Sequence, residues 1–262
     1  MSKDLESLEN DVSGLRATKG DDDLETLEAM YRLAHAYTGL PPELRSDFDL
    51  EQALALMEVV VERLTRRYGR DHDSPTAATV FLGTILHALG RLEEAKRLWE
   101  RVLALWELDR GVDDLSTIGV AHNLALLAND EGDYNELVVF QSRVVDSLRR
   151  VGADQLSYLR ELALLAYGQR LSFAFEEARE TDDERVRIWR DLRGPDSKDT
   201  LEAEFCLAID LGLCGNLETA RSELQHLAIR AKSLLKPGDE LRAKIDQQLA
   251  ATSGYLDQRR DL

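Results

Sequence analysis

The chain has 262 residues, 44% of them hydrophobic and only 5 of them proline, which excludes a disordered or collagen-like protein and suits an ordered helical one. A net charge of −17 and a pI near 4.8 exclude non-specific binding to nucleic acid and docking on anionic lipid, both of which need clustered Lys and Arg. The chain shows neither an apolar run of about 18 residues nor an apolar signal core after Met1-Ser2-Lys3-Asp4, so no membrane span and a cytoplasmic location are expected.

Residues 1–20 form a short amphipathic stretch, with Leu5, Leu8, Val12 and Leu15 on one face, that breaks at Lys19-Gly20. It reads as an N-terminal capping or accessory helix, with a dimerisation helix as the other reading. Asp21-Asp22-Asp23 then suits the N-cap of a helix over about Leu24 to Tyr37. A loop, Thr38 to Ser46, leads to a helix from about Leu50 to Tyr68. Ser74-Pro75 opens the next helix, with Pro in the favoured first turn, and Gly90-Arg91 turns the chain. The following helix has Leu92, Ala95, Leu98, Trp99, Val102 and Trp106 on its apolar face. Further helix pairs span about 112–152, 153–193 and 194–238, and Lys236-Pro237-Gly238 stops the last of them. The stretch 239–262 reads as a C-terminal capping helix, about Glu240 to Leu256, and a frayed tail. Cys206 and Cys214 lie eight apart on one predicted helix, roughly 12 Å along its axis, beyond disulfide reach.

A signature repeats every 41–42 residues: Leu82-Gly83, Leu124-Ala125, Leu165-Ala166 and Leu207-Ala208. Seven residues after each small residue stand Gly90, Gly132, Phe173 and Gly215, and twelve after it stand Ala95, Leu137, Ala178 and Ala220. Small residues let helix backbones approach, and a Gly between them permits the left-handed turn that joins the helices of a hairpin. Phe173 leaves the fourth turn in question, and Leu137 predicts wider helix spacing in the third hairpin.

The run Asp73-Ser74-Pro75-Thr76, Leu82-Gly83, Gly90-Arg91-Leu92-Glu93-Glu94-Ala95 and Leu98-Trp99-Glu100-Arg101-Val102-Leu103 resembles the tetratricopeptide repeat. His122-Asn123-Leu124-Ala125 and Pro195-Asp196-Ser197-Lys198-Asp199-Thr200-Leu201 are similar to the same pattern in its long, kinesin-light-chain form, which is also common in bacterial repeat proteins. HEAT-type repeats share a step of about 40–47 residues, but the small–Gly–small spacing favours the tetratricopeptide form. The resemblance implies an all-α, right-handed superhelical solenoid. About five helix–turn–helix repeats would fill 21–238 (about 22–70, 71–111, 112–152, 153–193 and 194–238), between the capping helices at 1–20 and 239–262.

It also implies a concave groove lined by the first helix of each repeat. On this chain the positions are Tyr31, Arg32, His35, Phe81, Thr84, His87, His122, Asn123, Asn129, Arg160, Tyr167, Arg170 and Phe205. Arg32, Arg160 and Arg170 stand against Glu28, Asp130 and Glu202, near neutrality in an acidic chain. An Arg fork matches a carboxylate, so the expected ligand is a protein or peptide with acidic side chains or a free C-terminus. No phosphate loop, HExxH helix, zinc-type Cys pair or GxSxG is present, so no enzymatic activity, cofactor or metal is expected. The expected role is a binding scaffold or adaptor; a regulatory sensor for a small molecule or signalling peptide, working with a separate effector, is the alternative.

Overall fold

The computed structural model describes residues 3–41 and 45–260, and every regular element among them is an α-helix. In chain order they are α1 (Lys3–Lys19), α2 (Leu24–Thr38), α3 (Asp47–Tyr68), α4 (Asp73–Ala88), α5 (Leu92–Asp109), α6 (Leu115–Glu131), α7 (Tyr134–Val151), α8 (Gln155–Leu171), α9 (Phe175–Arg193), α10 (Lys198–Leu213), α11 (Leu217–Leu234) and α12 (Glu240–Arg260). Part of the expected Thr38–Ser46 loop, residues 42–44, lies outside the described residues. The chain divides into two compact units, Met1–Glu131 and Gly132–Leu262. Within each unit every helix packs on its neighbours in chain order, and α4 also touches α6, as α10 touches α12.

Local chemistry sets the helix starts. Asp23 accepts from the Glu25 N–H, Ser46 and Asp49 form a reciprocal capping box, and the Asp154 and Ser197 side chains accept from the N–H groups of Ser157 and Thr200. In the first unit α1 lays Leu5 and Val12 against α2 as a cap, and the Tyr37 hydroxyl donates to Glu9 at 2.7 Å. In the second unit α12 buries Leu241 and Ile245 with Leu224, Leu227 and Ala231 of α11. It stays helical to Arg260, past the expected end at Leu256, so 257–260 are not frayed; residues 261–262 lie outside the described residues. The two cysteines are free thiols, and Cys214 is the cap residue that follows α10.

Gly90, Gly132 and Gly215 all have positive φ, as the turn positions require. Phe173 keeps the same turn at φ 65°, the only non-glycine with positive φ among the described residues. Its hydrogen bonds match those of the glycine turns: Ala174 N–H donates to Gln169 at 2.8 Å, as Arg91 N–H does to Leu86 and Asn216 N–H to Leu211 at 2.9 Å. The left-handed backbone costs a residue with a Cβ about 1–2 kcal/mol. Phe173→Gly is therefore expected to stabilise the fold by about 1 kcal/mol once the extra freedom of glycine in the unfolded chain is subtracted. Denaturant unfolding measures it, and a loss of stability would mean that the phenyl ring packs usefully in the fold.

Leu137, the large residue at a small position, is fully buried in α7. Its space comes from α8: a Cβ at Gly168 would stand 2.9 Å from Leu137 Cδ2. The small residue has moved to the facing helix.

Candidate functional site

The positions expected to line a groove fall into two sets, one in each unit. In the first unit α2 and α4 bring Tyr31, His35 and Phe81 together, with ring centroids 5.2 Å (Tyr31–Phe81) and 5.7 Å (His35–Phe81) apart. Arg32 is exposed beside them on α2. One helix further on, His87 Nε2 lies 2.9 Å from Asp130 Oδ2, and the His87 ring lies 5.7 Å from the Trp99 ring. The Asn129 amide donates to the other Asp130 oxygen at 3.3 Å, while His122 and Asn123 are half-buried on α6. Thr84 turns its hydroxyl back to the Val80 carbonyl, 3.2 Å away on its own helix.

In the second unit Arg160 stands exposed on α8 and lines an open cleft of about 350 Å³. Leu156, Leu159, Ala163 and Trp189 form its apolar wall, and Arg185, Asp199 and Glu202 supply the remaining charge. A second cleft of about 330 Å³ shares Arg185 and Glu202 with the first and adds Phe205, Cys206, Leu241, Lys198 and Lys244. Its lysines are already paired: Lys198 with Asp239 at 2.9 Å, and Lys244 with Glu240 at 2.7 Å. The hydrogen bond to Asp239 and its charge raise the Lys198 pKa. Arg160 is thus the cleft cation best placed to meet a ligand anion.

Arg170 departs from its expected place. Rather than facing a ligand, its guanidinium is turned into the helix stack, 2.5 Å from Asp182 and 3.1 Å from Asp210. Both carboxylates are 0% exposed, and Arg185 closes on Asp182 from one turn along α9. Burial works against the Arg170 charge, but the two carboxylates outweigh it and hold its pKa above the ordinary value. Burial and the hydrogen bond to Asp182 push Asp210 up to about 7 against the pull of Arg170. Cys206, beside this cluster, is raised by burial and by Asp182. Arg170 is the structural clamp of α8, α9 and α10.

Tyr167 lies about two helical turns beyond Arg160 on α8, with its ring 6.4 Å from that of Tyr134 in an edge-on pair. Arg185 and Trp189 lie outside the expected groove set because they sit on α9, the second helix of its hairpin, and the repeat pattern places groove residues on first helices. The signal available was a Trp four residues after an Arg on an otherwise strongly polar helix. Lys198 and Lys244 enter only because α12 folds back beside α10.

Residues 74–136, which hold α4, α5, α6 and the start of α7, match the tetratricopeptide repeat family profile. That segment carries tetratricopeptide repeats. The fold agrees over a longer span than the matched segment. Nearly identical tetratricopeptide-like repeats from a kinesin-light-chain-like protein of Podosopora anserina superpose with a TM-score of 0.67 at 22% identity, covering 84% of this chain and 100% of theirs. BtubC (BKLC) from P. vanneervenii gives a TM-score of 0.64 at 14% identity over 90% of this chain and 93% of its own. A double mutant of MamA RS-1 gives 0.55 at 13% identity over 80% and 97%. At these identities the likeness is one of fold: tetratricopeptide helices packed in chain order. Among curated proteins no sequence match is found. Tetratricopeptide repeats generally mediate protein–protein interaction. No helix among the described residues is long and apolar enough to cross a membrane.

Proposed function

We propose that this tetratricopeptide-repeat protein is a non-enzymatic scaffold or adaptor that holds an extended peptide of a partner protein in the second unit. The observation that carries this reading is the cleft at Arg160. An exposed Arg lines it together with the apolar Leu156, Leu159, Ala163 and Trp189. An extended chain sends successive side chains to opposite sides, so one residue can rest on the Trp189 wall while a nearby acidic side chain or C-terminal carboxylate reaches Arg160. Asp199 and Glu202 in the same lining would accept from peptide N–H groups or a ligand Lys. In the first unit the Tyr31–Phe81–His35 cluster is a second place for an apolar side chain. Trp and Arg are the residue types that most often dominate binding energy, so the cleft pair is where truncation should be felt.

The test is a crosslinked pull-down from the native host with wild type, Arg160→Glu and Trp189→Ala. Arg160 is exposed, so reversing its charge should leave thermal unfolding nearly unchanged. The expected result is a partner captured by wild type and lost from Arg160→Glu, with affinity for its isolated acidic segment falling about tenfold or more. A partner retained in full by both variants would overturn the reading.

A further inference from the structure

Phe173 occupies the left-handed turn position that glycine fills elsewhere, yet the residue is 79% exposed. A strained backbone with little burial in return points to a use outside the fold. The ring is not isolated. It meets Phe175 edge-on at 5.9 Å, and Leu171, two residues earlier, is also exposed. Tyr167, one helical turn before Leu171 on α8, is exposed and holds Tyr134 at the start of α7. On the neighbouring hairpin Cys214 lies close to Glu176, and Leu213, the residue before it, is exposed.

The charge around these rings is predominantly negative. Asp133, Glu176, Glu177 and Glu180 are exposed there, and the nearby cation Arg179 is already held by Glu176 at 2.8 Å and Glu180 at 4.0 Å. An acidic rim around an apolar centre complements a cationic amphipathic segment. Arg160 and Phe173 stand near opposite ends of α8, about 20 Å apart along its axis, so this edge is separate from the cleft and does not depend on it.

We propose that the α8–α9 turn edge of the second unit is a docking surface for a partner segment that carries Leu-type side chains flanked by Lys or Arg, with Phe173 as its anchor. The occupant is an amphipathic basic helix of another protein: its apolar face covers Phe173, Phe175 and Leu171, and its cations meet Glu176 and Glu177.

The probe is a fluorescently labelled amphipathic Leu/Lys peptide, compared with a Leu/Glu peptide of identical Leu spacing, titrated onto the full chain. The Leu/Lys peptide should bind, weaken as salt is raised, and lose about tenfold or more in affinity on Phe173→Gly. That variant should be at least as stable as wild type, so lost binding cannot be lost folding. Glu176→Gln with Glu177→Gln should weaken binding and flatten its salt dependence. Arg160→Glu should leave it unchanged. The proposal is overturned if the Leu/Lys peptide does not bind, if Phe173→Gly binds as wild type does, if the Leu/Glu peptide binds equally, or if Arg160→Glu is the variant that weakens it.

Discussion

Arg170→Ala is expected to destabilise the second unit by about 3–5 kcal/mol at neutral pH, because it leaves buried carboxylates without their partner. The structure makes the reason specific: Asp182 and Asp210 are fully buried, and one guanidinium bridges both. Arg185 reaches Asp182 and would compensate in part. The deficit should shrink in acid, since protonating Asp210 removes the charge that Arg170 holds. The wild type itself should respond to pH in a defined direction. Asp210 has a folded pKa raised from 3.8 to about 7, so the fold binds its proton more tightly than the unfolded chain does. The stability this contributes is fully present below pH 3.8 and is lost as pH rises to about 7. Asp210→Asn keeps a donor to Asp182 and cannot ionise, so it should flatten that slope and be more stable than wild type at pH 8. Denaturant unfolding between pH 4 and pH 8 measures both effects. Equal destabilisation of Asp210→Asn at every pH would show instead that an ionised Asp210 is the necessary partner of Arg170.

The same cluster marks where the sequence is legible and where it is not. Turn positions are legible because their constraint is local: Gly90, Gly132 and Gly215 sit where a positive φ is required, and the period identifies Phe173 as their equivalent. Helix starts at Asp23, Ser46, Asp154 and Ser197 are legible for the same reason. Arg170 is not, because its environment is made by Asp182 on the next helix and Asp210 on the one after. Helical phase puts Arg170 near the groove, but only the packing of three helices shows that two acids converge on it. Charge complementation of this kind leaves no mark on hydrophobic periodicity. Arg185 and Trp189 are not legible because the repeat pattern assigns the groove to first helices, and Lys244 is not because the sequence of α12 does not show that it packs back beside α10. The polarity of the last residues hid the extent of α12 as well, since its outer face is solvated in either case.

Trp99→Ala is expected to cost about 3–5 kcal/mol, the range for truncating a buried aromatic side chain. Trp99 is buried between α5 and α4, and its indole N–H donates to the Val80 carbonyl at 3.0 Å. That geometry exists because position 83 has no side chain: a Cβ there would lie 2.4 Å from indole Nε1 and 2.8 Å from Cε2. A buried rigid ring tied to the Val80 carbonyl cannot yield as a flexible side-chain end can, so Gly83→Ala should destabilise by about 1–3 kcal/mol. It should do so although alanine favours a helix interior over glycine by about 1 kcal/mol. The two positions therefore form one unit, and a double-mutant cycle should expose it. In a Trp99→Leu background the clash is gone, so Gly83→Ala should become neutral or stabilising, with a coupling of about 1–3 kcal/mol. Additive effects would mean that α4 and α5 shift apart to admit the methyl group, and that the recurring small residue is tolerated at this hairpin rather than required. A large coupling would tie the first element of the repeat signature, the small residue at Gly83, directly to the indole that fills the space it leaves.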